Sequence, residues 1–135
     1  MAHKIFVNMP VKDLEKSKEF FGRLGFKFNA QFTDEKAACL VISDDIYSML
    51  LTEPFFKSFI KKEIADTQKT TEAILALSAE SREEVDELMR KVLAAGGTEF
   101  KEVQDLGWMY GRGFQDIDGH LWETFWMDPS RVNPV

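Results

Sequence analysis

Glu123 is the residue of this chain with the clearest chemical promise. It lies in the alternating run Leu121 to Met127, just after the turn-like sequence Asp116-Ile117-Asp118-Gly119. On a strand it shares a face with Leu121, Phe125 and Met127. A carboxylate among such neighbours is costly to ionise, so its pKa is expected to rise unless a cation or donor is near. It could accept hydrogen bonds from a basic ligand, act as a general acid or base, or remain a structural hydrogen-bonder beside Asn8. Arg112 is the second candidate. It alternates with Trp108, Tyr110 and Phe114, where a guanidinium can hold a ligand anion, stack on a ring or pair with an acidic group on a neighbouring strand.

Other chemistry-bearing residues are sparse. His3 and His120 are the two histidines; alternation points His120 away from Glu123, as a turn residue that bonds locally. Glu53 and Glu72 are expected at strand ends, solvated or near a cavity mouth. Cys39 sits in the apolar run Ala37 to Ile42 and reads as an inert core thiol. Gly111 and Gly113 in YGRGF belong to a strand with relaxed packing, not to a nucleotide loop. No Ser/His/Asp arrangement, cysteine pair, phosphate loop or dinucleotide fingerprint is present.

These residues need elements to position them, and the elements repeat. KIFVNM (4–9) is β-rich and closed by Pro10. Asp13 suits an N-cap for LEKSKEFFGRLG, with Leu14, Phe20, Phe21 and Leu24 on one face and Gly25 as its stop. Strand-like runs follow at Phe26 to Phe32, Ala37 to Ile42 and Ile46 to Thr52, the last two joined by an Asp44-Asp45 turn. The second half repeats this order. Glu72 to Ser78 reads as a strand, and Ser81 with Glu84 as a capping box. Val85, Leu88, Met89 and Val92 form a helical stripe ended by Gly96-Gly97. Strands are expected at Thr98 to Val103, Trp108 to Gln115 and His120 to Met127, with an Asp118-Gly119 turn. The class is therefore α+β, from two β-α-β-β-β modules at about 3–53 and 71–128 within one domain over 1–135. The connector, 54–70, has Pro54 in a first-turn position and Phe55, Phe56, Phe59 and Ile60 at helical spacing. It reads as a short helix packed on the domain or a partner copy, or as a flap over a cavity.

Bulk properties narrow the partners. A net charge of −6 over 135 residues opposes phosphate backbones and anionic lipid, so neither nucleic acid nor a membrane is expected. A single cysteine suits a reducing compartment, and the apolar runs are far too short for a membrane span. A cytoplasmic protein is expected.

VKDLEKSKEFFGRLGF (Val11 to Phe26) and DIDGHLWETF (Asp116 to Phe125), together with the duplication, resemble the vicinal oxygen chelate superfamily of glyoxalases, bleomycin resistance proteins and extradiol dioxygenases. The resemblance implies a curved, incomplete eight-stranded barrel around a cavity with helices outside, and a homodimer. It also implies metal ligands on the first, fourth, fifth and eighth strands, at Phe6, Leu50, Ile74 and Glu123. Only Glu123 can bind a metal there, so no cofactor is expected, although a divalent metal held by a rearranged site stays open. The cavity is then expected to present Phe6, Asn8, Ser48, Leu50, Ile74, Ser78, Glu123 and Phe125, with Arg112 as a further ligand contact. Trp122 and Trp126 should face the helix side. Two readings follow: a metal-independent binder of a small aromatic or cationic compound, or a metal-dependent glyoxalase-type lyase or dioxygenase.

Overall fold

The computed structural model describes residues 3–131. It divides between Ala65 and Asp66 into two compact units, each with one sheet.

In the first unit β1 (Ile5–Val11) leads into α1 (Leu14–Arg23), then β2 (Lys27–Phe28), β3 (Ala37–Val41) and β4 (Ile46–Thr52). The Asp13 carboxylate accepts the Lys16 N–H at 3.1 Å, and Gly25 takes φ 102° after the last turn, so α1 begins and ends as its caps dictate. Its inward face, Leu14, Ser17, Phe20, Phe21 and Leu24, is buried. The sheet order is β1-β4-β3-β2, with β1 and β4 parallel. β2 is shorter than the expected run to Phe32. The Asn29 side chain caps the Gln31 N–H and the chain turns into a single 3-10 turn over Ala30–Phe32. The connector begins as α2 (Glu53–Lys57), which has Pro54 in its first turn and packs against β1 and β4. Phe55 and Phe59 then meet edge to face at 5.0 Å.

The second unit repeats the plan: β5 (Ile74–Ser78), α3 (Arg82–Ala94), β6 (Thr98–Glu99), β7 (Gln104–Asp105), β8 (Met109–Gln115) and β9 (Leu121–Met127). Its order, β5-β9-β8-β6 with β5 parallel to β9, matches the first sheet position for position. The Ser81 hydroxyl accepts the Glu84 N–H at 3.1 Å, while the Glu84 carboxylate reaches back to the Glu80 N–H at 2.6 Å. Val85, Met89 and Val92 of α3 are buried with Phe114 and Trp122, whose rings stack as a cross-strand pair 6.1 Å apart.

The strand expected over Thr98 to Val103 is broken. β6 pairs the Gln115 end of β8 and β7 pairs its Met109 end; the Phe100 N–H still bonds to the Gly113 carbonyl, and within 100–103 two residues more than β8 offers opposite are accommodated as a bulge.

Candidate functional site

Register decides which predicted residues share a surface. Met9 is opposite Leu50 and Val7 is opposite Ser48 in the parallel β1–β4 pair. Leu50, Ser48 and Met9 are buried and share one face of their sheet, opposite to the face that carries Phe6 and Asn8 with which they were expected to line a cavity. Phe6 and Asn8 occupy the other face. Phe6 is 47% exposed and stacks on Tyr47 at 4.7 Å, while the Asn8 amide donates to the Phe6 carbonyl at 3.3 Å. Asn8 is therefore engaged locally.

Of the roles open to Arg112, the structure shows the pairing with an acidic group on a neighbouring strand. It pairs across the ladder with buried Thr124, on the side covered by α3. Its guanidinium donates to both carboxylate oxygens of Glu99, at 2.9 and 3.0 Å, and to Asp86 of α3 at 2.9 Å. The Glu99 bond, then the Asp86 bond, raise its pKa above the ordinary arginine value against the opposing effect of burial. Tyr110 donates to the same Asp86 at 2.6 Å, which raises the phenol pKa. Arg112 thus pins β8 to α3 and β6, with Nε, Nη1 and Nη2 each donating to a carboxylate of the scaffold.

The turn before Glu123 is held by Asp116. One oxygen accepts the N–H groups of Asp118 and His120, and the other accepts the Trp122 indole N–H at 3.0 Å. Burial pushes the Asp116 pKa up, partly offset by His120 and the Trp122 bond. Gly119 takes φ 86°, and a side chain there would meet Thr67, whose hydroxyl donates to the Asp118 carbonyl. His120 is buried, with Nδ1 3.2 Å from Glu72. The acidic turn sequence therefore acts as a bracket that sets the register of β9 and aims Glu123 at the open face.

That face holds a concavity of about 200 Å³ within the second unit. It is lined by Ala76, Met109, Gly111, Phe125 and Met127, with Glu123 and Gln104 among its polar groups. Two of the sequence candidates, Glu123 and Phe125, come together here. Ile74, 50% exposed, is not in the lining. The Glu123 carboxylate is not alone, as the sequence had suggested: the Lys101 ammonium from the bulge is bound to it. Gly113, directly opposite Glu123, makes this approach possible. A Cβ at Gly113 would lie 2.5 Å from the Phe100 ring and 3.1 Å from Lys101 Cε, so the space is filled and not relaxed. Lys101, Gln104 and Met109 were not singled out as site residues from sequence. The available signal was the pair of glycines in β8, because glycine inside a strand marks a bulge or close approach.

For a divalent metal the donor set does not fit. Glu123 is engaged by Lys101, Phe6 and Ile74 offer hydrocarbon, and Leu50 is buried on the opposite face of its sheet. Among the described residues no three His, Cys, Asp or Glu side chains cluster as ligands. No described helix is long and apolar enough to cross a membrane.

Comparison with known proteins agrees with this architecture. A family described as bleomycin resistance protein-like N-terminal matches residues 4–43. Among solved structures, a hypothetical protein of S. aureus, SA1046, is 30% identical, with 93% of this chain and 94% of that chain covered at a TM-score of 0.78. A glyoxalase/bleomycin resistance protein/dioxygenase family enzyme from Burkholderia phytofirmans PsJN superposes at 0.77 with 16% identity, covering 93% of this chain and 99% of its own. TnmS3, an antibiotic binding protein from Streptomyces sp. CB03234, gives 0.68 with 17% identity, covering 94% and 97%. Comparison with curated protein sequences gives no match. With its duplicated sheet order and these structural likenesses, the chain has the fold of the glyoxalase/bleomycin resistance protein/dioxygenase proteins, and its residues 4–43 match the bleomycin resistance protein-like N-terminal family.

Proposed function

We propose that this protein binds a small, single-ring compound, without a metal, in the concavity on the open face of its second sheet. The observation that carries this reading is the lining itself. Met109, Met127, Phe125 and Ala76 supply an apolar floor, Glu123 and Gln104 add polar groups to the lining, and Lys101 is bound to Glu123. An apolar bed with few polar groups is the usual make-up of a ligand site. Methionine pairs adapt to a ligand's outline and contact aromatic rings favourably through sulfur. At about 200 Å³ the space suits one ring, since a cavity of about 150 Å³ accepts a benzene-sized molecule. The likeness to an antibiotic binding protein supports binding as the activity. The donor set described above argues against a metal at Glu123.

The test is titration of the purified protein with single-ring aromatic compounds, followed through 13C-labelled methionine methyls. Shifts at Met109 and Met127, with the compound recovered unchanged, are expected. Ala76 is exposed on its strand, so Ala76→Phe should fold and fill the space, weakening binding at least tenfold, about 1.4 kcal/mol. Equal binding by the filled variant would refute the site. Stoichiometric retention of Zn, Ni, Mn or Fe after loading would refute the metal-free reading.

A further inference from the structure

On this reading of the concavity, we infer that the Lys101–Glu123 pair is a recognition element for a zwitterion. The ligand class is a single aromatic ring carrying an ammonium and a carboxylate close together.

The pair is assembled at structural expense. Glu99 is opposite Phe114 and Gln104 is opposite Gly111, so four residues, 100–103, span only two of β8, 112 and 113. Two extra residues leave the ladder here, and Lys101 is one of the four. The approach also depends on Gly113, the cross-strand partner of Glu123, where any side chain would strike Phe100 and Lys101. Stability does not account for this construction. The side chains of Lys101 and Glu123 remain 36% and 28% exposed, and pairs so open to water add little to stability. The same exposure leaves both charges within a ligand's reach.

Charge accounting then selects the ligand. A purely cationic compound must displace Lys101 from Glu123 and leave the ammonium unpaired. A purely anionic one must displace Glu123 and leave the carboxylate unpaired at the edge of an apolar bed. A neutral compound leaves the pair intact but gains only the apolar floor. A zwitterion can insert with its ammonium on Glu123 and its carboxylate on Lys101, so that all four charges keep opposite partners. Its ring then lies on Met109, Met127 and Phe125. Charge-assisted bonds of this kind are roughly twice as strong as neutral ones.

The full chain with 13C-labelled methionine methyls would be titrated with four probes: L-phenylalanine, phenethylamine, 3-phenylpropionate and benzyl alcohol. L-Phenylalanine is expected to saturate the Met109 and Met127 shifts at a concentration at least tenfold below each of the others. Lys101→Met should collapse its advantage over phenethylamine, and Glu123→Gln its advantage over 3-phenylpropionate. If benzyl alcohol binds as well as L-phenylalanine, or if neither variant changes these ratios, the zwitterion inference is overturned while the binding site stands. If none of the four probes shifts the two methyls, the concavity is not a ligand site and both readings fall together.

Discussion

Gly113 shows how a residue without a side chain can carry a site. The Phe100 ring and the Lys101 stem occupy the volume its Cβ would need, 2.5 and 3.1 Å away. Gly113→Ala should therefore destabilise the protein by about 1–3 kcal/mol through overpacking. Urea denaturation measures the loss, and a variant of unchanged midpoint would mean that Phe100 yields freely. Ionisable residues make further predictions at this scale. Asp105 accepts two bonds from Arg82 and one from the Gly107 N–H, and these hold its pKa down at about 2. A depressed carboxylate adds stability that is present above its ordinary value of 3.8 and is lost as pH falls through about 2. The Asp105 carboxyl 13C shift should titrate near there. In Arg82→Ala its midpoint should move up toward 3.8, stopping short of it because the Gly107 bond remains. Asp116 behaves in the opposite sense. Its raised pKa means the folded protein keeps a proton that the unfolded chain releases, so stability should decline as pH rises from the ordinary carboxylate range through the raised value. Urea midpoints across the acid range check this, and Asp116→Asn should remove the slope. That variant also offers a single carbonyl oxygen to three N–H donors, so it should be less stable throughout.

At the scale of elements, both long helices are specified by their ends as much as by their apolar stripes. Asp13 and Ser81 each accept an N–H three residues on, satisfying a donor that the helix leaves without a partner. Ser81→Ala should cost about 1 kcal/mol, read as a lower thermal midpoint, whereas Ser81→Asp should restore it. The caps and the Leu14-to-Leu24 and Val85-to-Val92 stripes were legible in the chain because they depend on neighbours within one turn. The strand boundaries at β2 and β6 were not. β2 stops because Asn29 caps the next turn, and β6 stops because the chain leaves the ladder at Lys101, after the Phe100 N–H has bonded to the Gly113 carbonyl. Both endings rest on contacts that alternation of residue type does not encode.

Over the whole molecule the two units share one strand order and differ in content. The concavity, the bound Glu123 and all three tryptophans, Trp108, Trp122 and Trp126, lie in the second unit; the lone thiol, Cys39, lies in the first. Tryptophan fluorescence and thiol reactivity therefore report on different units of one chain. Cys39 is completely buried and burial raises its pKa, which disfavours the reactive thiolate. Its labelling by a thiol reagent should be slower in the native protein than in urea by on the order of a hundredfold or more, since reaction requires local opening. Comparable rates in the two states would place the thiol within reach of solvent.

The amino-acid sequence by itself determined the class, the duplication, the two capped helices and the grouping of residues along each strand. Period-2 alternation was enough to place Glu123, Phe125 and Met127 together and to set Trp122 on the helix side. Only the tertiary structure decided which face each group turns to and what meets it there. Leu50 turns away from Phe6 because register sets it opposite Met9, and Arg112 belongs to the scaffold because Asp86 and Glu99 reach it from α3 and β6. The physical reason is range. Alternation is local to a strand, whereas register, the bulge at 100–103 and the Lys101 ammonium on Glu123 are settled between segments distant in the chain.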